Sequence, residues 1–474
     1  MLNQAFTADN FEKIFDIENR KGMIQSLNFS EEYNLVLSQI KDVRAEIKTI
    51  LRLKKIKRTT EENEMLTLFE QTLNELIIKK KEIRNGVLES ISKSVNSKKF
   101  SFKISPKDDD KFIIDKSRET FFAAKQLQYN IRKTFNVKQA SRHAILSQIK
   151  MLLNESFPKY IIRTDVTSFF ESIPQKRLLS KLENNTLLNT QSKKFIKQIL
   201  LEYNKLKDIQ KINADNGVPR GVGISSYLSE LYMKDIDNSI RNLNDVIYYA
   251  RYVDDIFIVI SPKVPRKSVS DYFAEVKFIV EKEELSLKPE GDEKCNLIEL
   301  IPQSSVAANF VITYLGYKMN IVLKNKGIKT TFGISDRKKT KIKDYISKSI
   351  EYFNSVNKHN IKKAKKELFL CLLSISTNTK LNGSKNRVKA GIFYSHDLID
   401  QIHYNDLTEF DDFLNRQYFN PHFDLFEDQA QVDAYVLKLR NKILQEINFE
   451  KGFKEKRFHT FLINEMKVIK RILK

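Results

Sequence analysis

Two adjacent aspartates interrupt an apolar, β-prone run in the middle of the chain. Residues 248–260 read YYARYVDDIFIVI, and Asp254 and Asp255 separate the two apolar halves. The pattern predicts a strand, a tight turn and a second strand. Aspartate is common in turns, because its short side chain bonds to the local backbone. Two carboxylates between largely buried strands are costly unless a cation neutralises them, so the run indicates a cation site.

A third carboxylate ends another β-like run. Residues 160–173 read YIIRTDVTSFFESI, and Asp165 follows the apolar part. If the two runs are neighbours in one sheet, Asp165 and Asp254 meet across adjacent strands. Oxygen ligands of this kind suit Mg²⁺, which prefers carboxylates together with substrate phosphates. Two such ions can activate a 3′-hydroxyl and stabilise a leaving pyrophosphate, so the pattern predicts phosphoryl-transfer chemistry.

Composition limits the class of protein. The chain has 474 residues and a net charge of +22, which favours nucleic acid or an anionic membrane as partner, although a lysine-rich proteome gives the same excess. No apolar run reaches the roughly 18 residues of a membrane span, and no signal peptide is visible at the start. Two distant cysteines, Cys295 and Cys371, favour a reducing compartment. We therefore expect a cytoplasmic protein without a membrane partner.

Residues 31–97 show the apolar spacing of helices. Two series recur mostly at three- and four-residue steps and predict an antiparallel helical pair. They are Leu35, Ile40, Val43, Ile47 and Leu51, then Leu66, Leu68, Leu73, Leu76 and Ile77. Thr60, followed by Glu62 and Glu64, predicts the start of the second helix. We interpret these apolar series as packing surface.

Three segments of different character follow one another. Residues 1–100 are predicted to be a helical N-terminal region, and residues 101–325 mix β-like runs with helices. Residues 326–474 are basic and mostly helical.

The ordered motifs resemble the reverse-transcriptase family. YVDD at residues 252–255 matches the third catalytic motif of that family, and the run ending in Asp165 matches the first. Residues 216–226 (NGVPRGVGISS), followed by a helical pattern, resemble the second motif. The resemblance covers roughly residues 110–325.

This resemblance implies an α+β fold of the right-hand polymerase type. Residues 101–325 would hold the fingers and an RRM-like palm with an antiparallel sheet, and residues 326–474 a helical thumb-like C-terminal domain. It implies RNA-directed or untemplated DNA synthesis from dNTPs, with RNA or DNA as nucleic-acid partner. Asp165 and Asp254 would bind two Mg²⁺ ions, or Mn²⁺ as a substitute, with Asp255 in support. The backbone carbonyl of Val166 is a further candidate ligand.

The resemblance also assigns nucleotide-binding roles. Phe170, five residues after Asp165, would exclude the 2′-hydroxyl of a ribonucleotide; the alternative is that Phe169 and Phe170 are both core. Arg220 stands where the family commonly has glutamine and could hold a phosphate. Gly221 and Gly223 would let backbone approach a base or phosphate.

Further basic residues are candidates for phosphate contacts. Lys294 resembles the family's lysine beside the triphosphate, and Lys288 is the weaker candidate for that role. Each is equally consistent with a solvated surface lysine. Lys138 and Arg142 lie in a basic stretch interleaved with Phe121, Phe122, Tyr129 and Phe135, which is typical of single-strand binding but also of helix packing. The loop 381–393 could contact duplex, or be an ordinary solvated loop. Tyr314, Leu315, Gly316 and Tyr317 resemble the hairpin that grips the primer end.

The second motif and the C-terminal part are most similar to bacterial abortive-infection and other antiphage defence-associated reverse transcriptases. That branch implies a defence role, a dedicated non-coding RNA as candidate partner, and in some members priming by a tyrosine. The N-terminal helices could be an oligomerisation surface, giving a homo-oligomer, or an RNA clamp, and both alternatives stay open. Two other functions stay open, namely an RNA-binding scaffold with a non-catalytic polymerase core and a ribonucleotide polymerase.

Overall fold

The computed structural model describes the chain except residues 1–2, 21–22, 28, 53–57, 109, 210–214, 264–266, 302–307, 325–326 and 381–388. The described helices are α1 (Ala8–Arg20), α2 (Glu31–Leu51), α3 (Thr60–Val95), α4 (Arg118–Thr134), α5 (Arg142–Asn154), α6 (Phe169–Ser172), α7 (Gln175–Glu183), α8 (Thr190–Ile209), α9 (Ser225–Arg241), α10 (Val269–Lys282), α11 (Asp336–Val356), α12 (Ile361–Ser376), α13 (Ile392–His396), α14 (Asn405–Asn415), α15 (Gln429–Glu446), α16 (Phe449–Lys454) and α17 (Ile463–Ile472). The strands are β1 (Ile104–Asp108), β2 (Lys111–Ile114), β3 (Lys159–Asp165), β4 (Val246–Tyr252), β5 (Asp255–Ile260), β6 (Asn296–Leu300), β7 (Ala308–Tyr314), β8 (Tyr317–Lys324), β9 (Gly327–Ile334), β10 (Asn378–Lys380) and β11 (Lys389–Gly391).

These elements mix helix and sheet, and the chain divides into two compact units. The first unit comprises residues 1–139, 167–238 and 280–286. The second comprises residues 140–166, 239–279 and 287–474. The predicted three-segment division stays a prediction, and sheet β7-β8-β9 extends across the predicted boundary at residue 325.

The N-terminal helical pair of the first unit is confirmed as α2 and α3. Both helices begin at side-chain caps. Ser30 accepts from the Tyr33 N–H, and Thr59 and Glu62 form a reciprocal capping box that satisfies two otherwise unpaired N–H groups. The predicted apolar series of α2 was wrong at both ends, because Leu35 and Leu51 are exposed.

The buried face of α2 is displaced from the predicted series. It consists of Tyr33, Val36, Ile40 and Ile50. Tyr33 forms edge-to-face contacts with Phe15 and Phe29, at centroid distances of 5.8 and 5.3 Å. An aromatic cluster at the start of α2 therefore decides which face of the helix is buried. The predicted series contained only aliphatic residues and so did not include Tyr33.

The second unit is built around a four-stranded antiparallel sheet in the order β4-β5-β3-β6. Every side chain of β3 is buried, because the strand is central and covered on both faces. The three-stranded antiparallel sheet β7-β8-β9 contributes to the same hydrophobic core, with α5, α11, α12 and α14. This rigid sheet fixes the ends of β3 and β5, where the aspartates lie.

The chain after β9 is mostly helical, from α11 to α17, as predicted. Of the basic loop at residues 381–393, residues 381–388 lie outside the described part of the structure. Across the described residues, no helix has the length and apolar character to cross a membrane. Both cysteines are buried and unpaired.

Candidate active site

The carboxylate cluster is set by strand register. β3 and β5 pair antiparallel, and Asp165 lies opposite Asp255. β4 and β5 form the predicted hairpin, with Val253 and Asp254 as the two turn residues between Tyr252 and Asp255. The Val166 N–H donates to the Asp254 carbonyl at 3.1 Å, which fixes the turn against the end of β3. The sheet thus gathers the three predicted aspartates.

The three carboxylates lie close enough to share metal ions. Each offers one oxygen, and these oxygens all lie within 4.8 Å of one another. Asp165 is 4% exposed, and within the described part of the chain its Oδ1 atom is buried without a hydrogen-bond partner. A buried carboxylate oxygen normally has a partner, so this set of oxygens fits a hard divalent cation.

Two cations partly neutralise the cluster. The Arg163 guanidinium donates to Asp255 Oδ1 at 3.1 Å, and Lys294 Nζ donates to Asp165 Oδ2 at 2.8 Å. The pKa of Asp255 is raised to about 6, chiefly by burial and in addition by Asp165 and Asp254, whereas Arg163 and Lys294 oppose the shift. The hydrogen bond to Asp165 raises the pKa of Lys294. The residual negative charge is what a divalent ion would neutralise.

The turn holds an uncommon backbone conformation. Val253 has a φ of 62°, in the left-handed region that a β-branched residue rarely adopts. A two-residue hairpin needs positive φ at its first central position, and the Arg251 guanidinium donates to the Val253 carbonyl at 2.7 Å. Arg251 is 7% exposed, so a buried side chain stabilises the strained turn beside the carboxylates.

Arg163 and Arg251 were missed by sequence reasoning. The available signal was a single basic residue inside each of two apolar β-runs, YIIRTD and YYARYV. Buried arginine is rare unless paired, so such a residue in a predicted core strand indicates a nearby acceptor.

The loop before β6 supplies both lysine candidates. The backbone N–H of Lys288 donates to the Asp165 carbonyl at 2.9 Å, whereas its ammonium group lies 3.5 Å from Asp292. Lys294 is the lysine whose side chain reaches the aspartates. Val166 is buried and forms an isolated bridge with Leu287; its role as a ligand stays a prediction.

Phe170 and Arg220 lie together in the first unit. Phe169 is 1% exposed whereas Phe170 is half-buried, so the interpretation that both are core was wrong. The Arg220 guanidinium lies 5.7 Å from the Phe170 ring centre and 3.2 Å from Glu171. Their roles toward a nucleotide stay predictions.

The glycines of the second motif lie against other elements of the first unit. Gly221 has a φ of 94°, and a Cβ there would lie 2.7 Å from the Phe112 carbonyl oxygen. Phe112 also donates its N–H to the Arg220 carbonyl at 2.8 Å. A Cβ at Gly223 would lie 2.5 Å from the Gln128 side-chain nitrogen. The close approach to β2 accounts for glycine at Gly221, and the predicted approach of the backbone at Gly221 and Gly223 to a base or phosphate stays a prediction.

The 314–317 segment is a tight turn between β7 and β8. Leu315 and Gly316 have φ of 45° and 83°, while Tyr314 and Tyr317 are fully buried. Arg142 donates from Nε to the Leu315 carbonyl at 2.8 Å and lies 5.0 Å from the Tyr317 ring centre. The structure therefore places Arg142 against this turn. Leu315 and Gly316 are half-buried, whereas both tyrosine rings are buried, and the role of the segment in gripping a primer stays a prediction.

The basic stretch of α4 divides into core and surface. Phe122 and Phe135 are buried, so packing explains these two aromatics. Tyr129 is 39% exposed and borders a cavity of about 580 Å³ that Lys13 and Arg20 also line. Lys138 is exposed, and its role in binding nucleotides stays a prediction.

Comparison with protein families supports the resemblance over the middle of the chain. Residues 106–319 match the family model described as reverse transcriptase (RNA-dependent DNA polymerase). This segment contains Asp165, Asp254 and Asp255 together with Arg220 and the 314–317 turn. The match supports the reverse-transcriptase family and a nucleotidyltransferase of that type.

Similarity to solved structures is weak. An apo telomerase from Candida tropicalis, truncated from its C-terminal domain, is 15% identical, over 48% of this chain and 54% of that chain, with a TM-score of 0.29. Telomerase from Candida albicans with a TWJ fragment of telomeric RNA is 12% identical, over 74% and 53%, with a TM-score of 0.28. A second apo telomerase from Candida tropicalis is 12% identical, over 79% and 65%, with a TM-score of 0.31.

This chain thus spans between about half and two thirds of the length of those structures. TM-scores this low establish neither a shared fold nor a shared function. A search of curated proteins found no match.

Proposed function

We propose that this protein is a polymerase of reverse-transcriptase type that makes DNA from dNTPs, either with an RNA template or without a template. The observation that carries the proposal is the cluster of Asp165, Asp254 and Asp255 on adjacent strands. This cluster lies inside the segment that matches the reverse-transcriptase model. Three carboxylates this close repel one another, which is unfavourable unless a cation is bound there.

The cluster is suited to two Mg²⁺ ions, with Mn²⁺ as a substitute. Asp165 and Asp254 are the proposed direct ligands, Asp255 supports them, and the Val166 carbonyl is a further oxygen donor. When bound, such ions activate a primer 3′-hydroxyl and stabilise the departing pyrophosphate. Lys294 adds positive charge beside Asp165, where it can pair with a triphosphate oxygen.

The remaining site roles rest on the resemblance. Phe170 is proposed to exclude the ribose 2′-hydroxyl, and its half-buried ring beside Arg220 is compatible with contact to a ligand. Arg220 is proposed to hold a phosphate. Lys138 and Arg142 remain weaker candidates for phosphate contact. The Arg142 side chain already donates a hydrogen bond to the 314–317 turn.

The right-hand arrangement of palm, fingers and thumb is part of the proposal. The antiparallel sheet β4-β5-β3-β6 would be the palm, and the helices from α11 onward the thumb. We further propose a role in bacterial antiphage defence, in the cytoplasm, with a dedicated non-coding RNA as candidate partner. The second motif and the helical C-terminal part support that branch through resemblance.

Labelled nucleotide incorporation by the purified chain tests the proposal. Mg²⁺ reactions would compare dNTPs with NTPs, each with and without primer–template. Incorporation of dNTPs is expected, and dependence on template would distinguish copying from untemplated addition. Preference for NTPs would identify a ribonucleotide polymerase. Inactivity in all conditions, with salt-sensitive RNA binding retained, would identify a scaffold.

A further inference from the structure

Much of the surface of α3 is exposed in the part of the chain that the structure describes. The structure describes this 36-residue helix from end to end, and only Leu88, Ile91 and Val95 are buried. Leu68 and Ile78 are each 59% exposed. A helix this long that buries only its C-terminal end is either a solvated helix or half of an interface.

Charge along α3 is divided between its halves. Residues 60–76 carry five acidic and no basic side chains, whereas residues 77–95 carry five basic and two acidic ones. The helix dipole favours this polarity only within the first and last turns. Glu75 and Lys79 lie in the middle of the helix, and neither forms an ion pair within the described residues. The central charges therefore call for another explanation.

One stripe of α3, exposed at every member except the half-buried Thr72, is symmetric about residue 77. Its members are alternately four and three residues apart, which keeps them on one face of a helix. They are Leu68, Thr72, Glu75, Lys79, Glu82 and Gly86. A two-fold axis at residue 77, perpendicular to the helix, would relate this helix to an antiparallel second one. It would place Leu68 of one helix opposite Gly86 of the other, and Glu75 opposite Lys79.

Gly86 is the most informative member of that stripe. Glycine inside a helix costs about 1 kcal/mol relative to alanine. A Cβ at Gly86 would meet nothing within 4 Å, so packing inside the chain does not require glycine. A second helix packed closely over this face would account for glycine there, and the residue exchanged with Gly86 is the exposed Leu68.

We propose that α3 pairs antiparallel with α3 of a second copy of this chain and forms a symmetric homodimer. Leu68 of each copy packs over Gly86 of the other, and Glu75 of each copy pairs with Lys79 of the other. The acidic half of one helix then lies along the basic half of its partner. This interface does not depend on the polymerase proposal.

Size-exclusion chromatography with light scattering on the full chain, cleared of nucleic acid by nuclease and high salt, tests the dimer. The expected result is a dimer at micromolar concentration. Gly86→Leu should give a monomer that keeps the wild-type helix content by circular dichroism, since leucine favours helix. A wild-type monomer, or a dimer that survives Gly86→Leu, overturns the proposal.

Charge reversal tests the register. Glu75→Lys and Lys79→Glu should each weaken the dimer by about tenfold, because symmetry places every pair twice in the interface. The double variant Glu75→Lys/Lys79→Glu should restore dimerisation. Glu46→Lys, an exposed reversal on α2, is the matched control and should leave the dimer unchanged. Failure of the double variant to restore the dimer overturns this register.

Discussion

Asp165 of β3 lies directly opposite Asp255 of β5 in an antiparallel pair of buried strands. Because Asp254 precedes Asp255 in the hairpin turn, this one register places three carboxylate oxygens within 4.8 Å of one another. A slip by one residue would turn the Asp165 side chain to the opposite face of the sheet. The strand pairing is therefore the structural basis of the candidate metal site.

The buried ion pair between Arg163 and Asp255 should be strongly coupled. Arg163→Met leaves Asp255 without its closest cation and should lower the free energy of unfolding by about 2–3 kcal/mol. The double variant Arg163→Met/Asp255→Asn should lose less than the sum of the two single variants. Denaturant unfolding measures all four proteins, and strictly additive losses would show that the two side chains do not interact.

Phe170 should control the choice of sugar. Phe170→Ala removes the proposed barrier to a 2′-hydroxyl and should raise the use of NTPs relative to dNTPs by about tenfold or more. Phe169→Leu, one residue earlier in the core, is the control and should reduce stability without altering that ratio. The ratio comes from kcat/KM with each nucleotide. An unchanged ratio in Phe170→Ala would remove the residue from the proposed site.

Replacement by alanine should destabilise the fold more at Gly221 than at Gly291. Both have φ near 90°, but a Cβ at Gly221 meets the Phe112 carbonyl oxygen at 2.7 Å, whereas nothing lies within 4 Å at Gly291. Gly291→Ala should cost about 1 kcal/mol of backbone strain, and Gly221→Ala at least about 2 kcal/mol. Thermal unfolding compares them; equal losses would show that the approach to β2 is not tight.

His396 should make stability depend on pH. The pKa of this 3% exposed histidine is lowered to about 3, chiefly by burial and in addition by the positive charges of Arg142 and Lys338. The unfolded chain takes up a proton below about pH 6.5, whereas the folded chain does not. Stability should therefore fall as pH drops from 6.5 toward 3, by at most about 1.4 kcal/mol per pH unit for this group.

The variant His396→Phe should remove that component of the pH dependence. His359→Phe, at an exposed position, is the control. The melting temperature would be followed from pH 7.5 to 5, and parallel curves for wild type and His396→Phe would contradict the assignment.

The strands and turn of the site could be predicted because they are local patterns. Apolar β-prone runs around Asp165 and around Asp254–Asp255 indicate buried strands wherever they occur. The partner of Arg163 could not be predicted, since Asp255 is 92 residues away in sequence and the contact depends on strand register. From the local sequence alone, Arg163 is only a basic residue inside an apolar run.

Gly221 and helix α2 likewise show which features follow from local sequence and which depend on tertiary contacts. A positive φ at Gly221 is signalled by its turn sequence, but the neighbouring carbonyl of Phe112 belongs to another element. On α2, aliphatic spacing identified the helix but not its rotation, because aromatic contacts of Tyr33 decide which face is buried. Sequence patterns identified elements, and tertiary contacts determined what each residue faces.

The most direct test of the polymerase proposal is labelled dNTP incorporation by Asp254→Asn beside wild type and Asp344→Asn, an exposed carboxylate in the same unit. We predict roughly a thousandfold or greater loss for Asp254→Asn, with circular dichroism, melting temperature and RNA binding retained. Asp344→Asn should keep full activity. Undiminished incorporation by a correctly folded Asp254→Asn protein would contradict the proposed metal-dependent active site.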